Sequence, residues 1–322
     1  MIHVSALTIA AGREAHLRNV VAGFQAQQHK LSELIIGVMQ DADYTDLPRT
    51  DFPIRQIRVT APELPLSAAR NAVADAATGD MLVFVDVDCI PAPDFISGYL
   101  DRMADRRGLF MGEVMYLPQG GTDGGLDFDR FADMAVKHSD RQGPPASGVA
   151  ACADYRCFWS LNFAMWRQDW LDGPRFDESF TGYGGEDTDF GRAWSNGGAP
   201  IWWIAGGRVY HQYHPHCMPP VHHLHSVLRN TEVFARKWGH RTMEHWLYAF
   251  QLMGLIRNAP EGLQLLREPG PTEFALCEQQ GHMPYANSRR VIDHLHRLAE
   301  DDRMTTERVA REQSALLMPA AE

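Results

Sequence analysis

The stretch Asp80-Met81-Leu82-Val83-Phe84-Val85-Asp86-Val87-Asp88-Cys89 constrains the fold more than any other part of the chain. Its five consecutive apolar residues read as a short strand with no solvent-facing side, and such strands belong to sheets covered on both faces. The strand stops at two carboxylates one residue apart, and Pro91 and Pro93 prevent it from continuing. In an extended segment Asp86 and Asp88 point the same way, because side chains alternate with a period of two. Two negative charges aimed at one place repel unless a cation holds them. Oxygen ligands with open coordination positions suit Mn2+ or Mg2+ bridging a phosphorylated substrate. The alternative is a polar turn closing a core strand, and Asp-x-Asp by itself does not separate the two.

The residues before this strand place it in a sheet. Residues 4–10 form an apolar strand ended by Gly12, and Leu17, Val20, Val21 and Phe24 follow at helical spacing. Residues 34–39 are a second buried strand, ending near Gln40, Asp41 and Asp43, and residues 54–59 a third. Residues 67–77 are an alanine-rich helix stopped by Gly79. This rhythm predicts an open α/β sheet with mainly parallel strands. Ligands of such sheets sit at the carboxyl ends of the strands. Asp41, Asp43, Asp86, Asp88 and the loop of residues 11–13 all fall there.

Composition narrows the function classes. A chain of 322 residues, 45% apolar, can bury a large core as one domain or two. No run approaches the ~18 apolar residues of a membrane span, and no basic region precedes an apolar stretch at the start; the expectation is a cytoplasmic protein. Five scattered cysteines without a C-x-x-C pair fit reduced thiols. A net charge of −11 argues against a nucleic-acid partner but not against a bound nucleotide, since a metal and one or two arginines can neutralise a diphosphate.

Three segments in order make the reading specific: Ala69-Arg70-Asn71, then Ala76-Ala77-Thr78-Gly79-Asp80, then Phe84-Val85-Asp86-Val87-Asp88-Cys89-Ile90-Pro91. Farther on comes Phe176-Asp177-Glu178-Ser179-Phe180-Thr181-Gly182-Tyr183-Gly184-Gly185-Glu186-Asp187-Thr188-Asp189-Phe190. Together they resemble family 2 glycosyltransferases of the GT-A fold, a Rossmann-like nucleotide-diphospho-sugar transferase architecture. The Gly-Gly-Glu-Asp form is also similar to that of β-galactosyltransferase relatives. The resemblance spans roughly residues 1 to 217. On the residues' own terms, Gly182, Gly184 and Gly185 allow a turn with positive φ. The acids that follow open a helical pattern, where they could be a helix cap favoured by the macrodipole or a general base.

The resemblance implies a metal-dependent, inverting hexosyl transfer from a nucleotide-diphosphate sugar, a UDP-sugar first, to an acceptor hydroxyl. It gives Asp187 the role of base, with Glu186 holding the acceptor or supporting the loop. It implies one histidine about two dozen residues after the Glu-Asp pair completing the metal site with Asp88. His211 fits best and His214 is the runner-up; His216, His222, His223 and His225, which follow in the sequence, line the donor or acceptor cleft or decorate a loop. It sets Ala10 to Arg13 against base and ribose, Asp41 (or Asp43) on the base, Arg70 near the diphosphate, and Asp86 on ribose or donor sugar. A guanidinium fork suits phosphate oxygens. The first strand departs from the pattern: Thr8-Ile9-Ala10-Ala11-Gly12-Arg13 stands where many relatives carry a proline and a Tyr-Asn or similar pair.

Residues 119–150 read as a long glycine- and proline-rich segment, either an excursion or a part that orders on nucleotide binding. Trp159, Asn162 and Trp166 could stack on an acceptor sugar or simply pack the core. The expected division is a catalytic domain, 1–220, and a helical C-terminal extension, 221–322, with helical patterns over 224–239, 246–256, 291–298 and 305–317. That extension could pack on the catalytic domain, bind an acceptor or make a homodimer. The competing functions are a non-catalytic nucleotide- or carbohydrate-binding relative and a nucleotidyltransferase; for the latter no Gly-rich triphosphate loop is evident. Zinc hydrolysis is the remaining use for the histidines, but no His-Glu-x-x-His helix is present.

Overall fold

The structure, a computed structural model, describes residues 2–141, 143–278 and 283–316. Strand and helix alternate at first: β1 (Val4–Ala10), α1 (Glu14–Gln25), β2 (Glu33–Val38), β3 (Ile54–Arg58), α2 (Leu66–Ala76) and β4 (Met81–Val85). The apolar run of β4 follows from burial on both faces. Met81, Val83 and Val85 join a core with Leu17, Val21 and Phe24 of α1, while Leu82 and Phe84 join another with Ala69 and Val73 of α2. The Gly-Asp turn before it is equally physical. A Cβ on Gly79 would lie 2.7 Å from the Ser5 nitrogen, and Asp80 accepts the His3 N–H at 2.9 Å.

The chain continues through β5 (Cys89–Pro91), α3 (Phe95–Met103), β6 (Leu109–Met111), β7 (Val114–Tyr116), α4 (Phe128–Met134), β8 (Val149–Ala151) and β9 (Asn162–Trp166). Then come α5 (Arg167–Asp172), α6 (Glu186–Asn196), β10 (Ile201–Ile204) and β11 (Val209–His211). Eight strands form one sheet in the order β3-β2-β1-β4-β9-β6-β10-β8. Strands β3, β2, β1 and β4 are mutually parallel, but β9 runs antiparallel to both β4 and β6, and β8 antiparallel to β10. Six of the eight strands therefore run the same way, so the sheet is mainly parallel as expected, with β9 and β8 reversed. A second, three-stranded sheet has the order β5-β11-β7. The α/β architecture with further helices is as expected.

Residues 119–150 are not structureless. They hold α4, whose N-cap Asp127 accepts the Arg130 N–H at 3.0 Å, and contribute β8 to the sheet edge.

The remaining elements are α7 (Leu224–Trp238), α8 (Glu244–Leu252), β12 (Ile256–Ala259), β13 (Gly262–Leu265), α9 (Pro271–Cys277) and α10 (Ser288–Leu316). Two compact units result. The first contains residues 1–214, 225–243 and 281–285; the second contains 215–224, 244–280 and 286–322. The first holds both multi-stranded sheets and nearly all of α7. The second holds α8, the β12–β13 hairpin, α9 and α10. Two expectations for this region change. The helix over 246–256 ends at Leu252, where Gly254 takes φ 66°, and Ile256 begins a hairpin strand instead. The separate helices over 291–298 and 305–317 are one helix, with residue 317 outside the described residues. No described helix is long and apolar enough to cross a membrane.

Candidate active site

The site is built within the first unit, where β4 ends. Asp86 and Asp88 follow that strand directly, and β5 then pairs with β11 so that His211 stands opposite Cys89. Backbone pairing thus brings the last residue of β11 beside Asp88. The two stretches are also joined by the Gln212 N–H, which donates to the Asp88 carbonyl at 2.7 Å. His211 Nε2 lies 3.5 Å from Asp88 Oδ1, and His214 Nε2 lies 3.2 Å from Asp88 Oδ2. On the other side Arg13 Nη1 donates to Asp88 Oδ2 at 2.7 Å. Arg13 caps α1 in a left-handed conformation, φ 52°, an uncommon state for a residue with a Cβ.

Helix α2 supplies the next shell of charge, and its Ala-Arg-Asn run divides the labour. Ala69 is small enough for α2 to lie against Gly37 of β2. Arg70, buried, reaches Asp86 Oδ1 at 3.2 Å and Glu186 Oε1 at 3.3 Å. Asn71 donates to the Phe176 carbonyl and to Glu178 Oε1, both at 2.9 Å, and accepts the Phe176 N–H at 3.1 Å. That side chain fastens the segment leading into α6. Gly182, Gly184 and Gly185 have φ of 72°, 96° and 90°, so the turn before α6 needs glycine. Gly185 is the N-cap, and Glu186, Asp187 and Asp189 occupy the first turn, where the helix dipole favours acids.

The acids differ in charge state. Burial pushes Asp187 up to about 7; Glu186 and Asp86 add repulsion, which Arg70 and the Thr188 N–H only partly offset. Burial likewise raises Asp86 to about 6 against the pull of Arg70. Asp88 goes the other way. Burial opposes its ionisation, but His211, His214 and Arg13 outweigh that and hold its carboxyl well below the usual range. Burial lowers His211 to about 4 although Asp88 pulls it upward, so at neutral pH its imidazole is uncharged. An ionised carboxylate beside a neutral imidazole is the state in which both donate lone pairs to a metal. Asp88, His211 and His214 can each offer one ligand atom within 4.8 Å of the others. His211 Nδ1 is buried and without a hydrogen-bond partner among the described residues. The donor set fits a divalent cation.

Asp86, Asp88, His211, His214, Arg13, Arg70, Glu186 and Asp187 thus gather at one place. His216 belongs to the second unit, where it accepts the Ala286 N–H at 3.4 Å. Ala10 is wholly buried, and its carbonyl accepts the Met39 N–H at 2.8 Å. Asp41 is exposed, and Asp43 pairs with Arg58 at 2.6 Å. In their neighbourhood Gln40 and Tyr44 hold the loop instead: Gln40 accepts the Gly12 N–H at 2.8 Å, and the Tyr44 hydroxyl donates to the Gly12 carbonyl at 2.6 Å. Asn162 is a buried strut, donating to the Glu113 and Gly207 carbonyls and accepting from Tyr99. Trp166 donates to the Arg106 carbonyl. Asp189 anchors α7 through Lys237 and Trp238 at 2.8 and 2.7 Å. Sequence reasoning missed Tyr116, whose ring stacks on His211 at 4.7 Å. No local pattern marks it, because only the pairing of β7 with β11 brings it there.

A comparison with curated proteins gives no match. Among solved structures, GalNAc-T7 with UDP, GalNAc and Mn2+ shares 17% identity over 66% of this chain and 44% of that chain, at a TM-score of 0.45. S. aureus TarS 1-349 shares 12% over 73% of this chain and 66% of that chain, at 0.47. Its complex with UDP-GlcNAc shares 12% over 66% and 59%, at 0.46. The chain therefore spans less than half of the GalNAc-T7 chain and just under two thirds of TarS 1-349. A family model, Glycosyl transferase family 2, matches residues 5–153. That stretch carries Arg13, Arg70, Asp86 and Asp88, and over it, a little under half of its length, the chain is similar to glycosyl transferase family 2.

Proposed function

We propose that this protein is a metal-dependent, inverting glycosyltransferase that moves a sugar from a nucleotide-diphosphate donor to an acceptor hydroxyl. The observation that carries the reading is the meeting of two groups from distant parts of the chain. Asp88, His211 and His214 make the cation site, and Asp86, Arg70, Glu186 and Asp187 adjoin it through the ion pairs of Arg70. Asp88, His211 and His214 would hold the cation, and two imidazoles favour Mn2+ over Mg2+, which prefers oxygen. When bound, such an ion neutralises the departing nucleoside diphosphate as a Lewis acid.

The rest falls to the side chains. Asp86 accepts hydrogen bonds from hydroxyls of the donor's sugars. Arg70 holds Asp86 and Glu186 in place and limits repulsion among the acids. Asp187, ionised above about 7, removes the acceptor hydroxyl proton as the oxygen attacks the anomeric carbon from the face opposite the leaving diphosphate. Glu186 orients the acceptor. A uridine nucleotide is the first donor to test. Incubating the protein with single nucleotide sugars and Mn2+ should release nucleoside diphosphate from one of them, and Asp187→Asn should slow transfer by roughly 10²- to 10⁴-fold while preserving binding. Calorimetric titration in which no nucleoside diphosphate binds in a metal-dependent way would sink the proposal.

A further inference from the structure

Arg141 lies in the segment after α4 and is not used by the site described above. Its Nε, Nη1 and Nη2 atoms are all buried and have no hydrogen-bond partner among the described residues. The guanidinium faces the rings of Trp203 and Trp159, 5.2 and 5.5 Å from their centroids. The ionisable groups that bear most on it are Tyr116, Cys89, Tyr99 and Cys157. All four are uncharged at neutral pH: burial pushes the Cys157 thiol up to about 12 and holds the other three above their ordinary values.

A buried guanidinium with five donors and no acceptor is a costly arrangement. Two tryptophan faces offset only part of the loss of hydration. The neighbours also tell where the missing acceptor belongs. Tyr116 stacks on His211, and the Cys89 thiol lies 3.7 Å from Asp88 Oδ1, so two of the groups whose charge bears on Arg141 border the candidate cation site. The segment is fixed to that site by two backbone hydrogen bonds between Val136 and Tyr116, at 2.7 and 3.0 Å. His138 then packs edge-on to Trp159 at 5.3 Å.

We propose that Arg141 is an anion-recognising residue of the substrate cleft, held between Trp159 and Trp203 when the cleft is empty and pairing with phosphate or carboxylate oxygens of a bound substrate. The anion is either the donor's diphosphate or a carboxylate carried by the sugar or the acceptor. The inference rests on the glycosyl-transfer reading for the identity of that substrate, but not for the anion itself.

The test compares wild type with Arg141→Met and Arg141→Gln. Three measurements are made: melting without ligand, titration with pyrophosphate and Mn2+, and titration with glucuronate against glucose. Arg141→Met should melt above wild type, because an unpaired buried charge is gone. At least one anion should bind wild type and bind both variants roughly ten- to hundredfold more weakly, the range for losing charge-assisted hydrogen bonds. Loss confined to pyrophosphate assigns the anion to the donor, and loss confined to glucuronate assigns it to a sugar carboxylate. Variants that melt lower and bind both anions as wild type does would make Arg141 a packing residue and overturn the inference. So would a wild type that binds neither anion. Titration of wild type with UDP and Mn2+ decides the broader reading separately: binding of pyrophosphate through Arg141 without binding of any nucleoside diphosphate would keep this inference and remove that one.

Discussion

Asp187 combines two demands that pull in opposite directions. A base for a hydroxyl proton works best with a pKa near the working pH, and burial beside Glu186 gives it about 7. Transfer should therefore rise with pH through about 7 and level off above it, as a rate profile would record. The same shift affects stability. The folded state holds this proton more tightly than the unfolded state, which favours folding at low pH; that contribution is lost as pH rises from about 4 to about 7. Asp187→Asn should thus lower transfer by roughly 10²- to 10⁴-fold yet melt above wild type at pH 8, by about 1–2 kcal/mol once partial exposure is allowed for. The gap should shrink at pH 5. At the cation site, His211→Ala and His214→Ala should each weaken Mn2+ binding by at least about tenfold, measured by titration of the metal alone. Both histidines lie within reach of Asp88, so the choice of one ligand over the other that counting from Asp187 suggests is not one the fold makes. Residues that adjoin one another along a strand end or a first helical turn, such as Asp86 with Asp88 and Glu186 with Asp187, are legible in sequence. Tyr116, Tyr44 and Arg141 are not, because their partners arrive from other elements.

At the level of elements, the segment leading into α6 is held from both sides. Asn71 of α2 fastens residues 176–178 by three hydrogen bonds, and Lys237 of α7 joins Asp177 to Asp189 of α6. Lys237→Met should destabilise the protein by about 1–3 kcal/mol in urea unfolding, since among the described residues it leaves the wholly buried Asp189 carboxylate with Trp238 as its side-chain partner. Adding Asp189→Asn should recover part of that loss. The elements that alternate early in the chain were readable from hydrophobic period alone. The three-residue strands β5, β7 and β11 were not, being too short to show a period, yet they carry the cation site. The helix expected over 246–256 overruns into Ile256, the first residue of the β12–β13 hairpin, because Ile256 continues a helical apolar spacing. The Pro260-Glu261-Gly262 turn, with Gly262 at φ 128°, was the signal that outranked it.

For the whole molecule, a ligand that binds only the folded state raises stability by mass action. Mn2+ at about 100 times its dissociation constant adds ~2.7 kcal/mol. Melting should shift upward with Mn2+, return with EDTA, and not respond in Asp88→Asn. The pairing of β11 with β5 has one more consequence. It ties His211 to the position after Asp88 through a backbone ladder, and of the chain between the two strands it is β7, on the other edge of β11, that helps to set their alignment. Insertions and deletions in the intervening loops can therefore accumulate without touching the cation site, whereas a single-residue slip within β11 would turn His211 away and present Tyr210 or Gln212. Homologues of this chain should differ freely in the spacing between these two ligands and hardly at all in the strand residues flanking them.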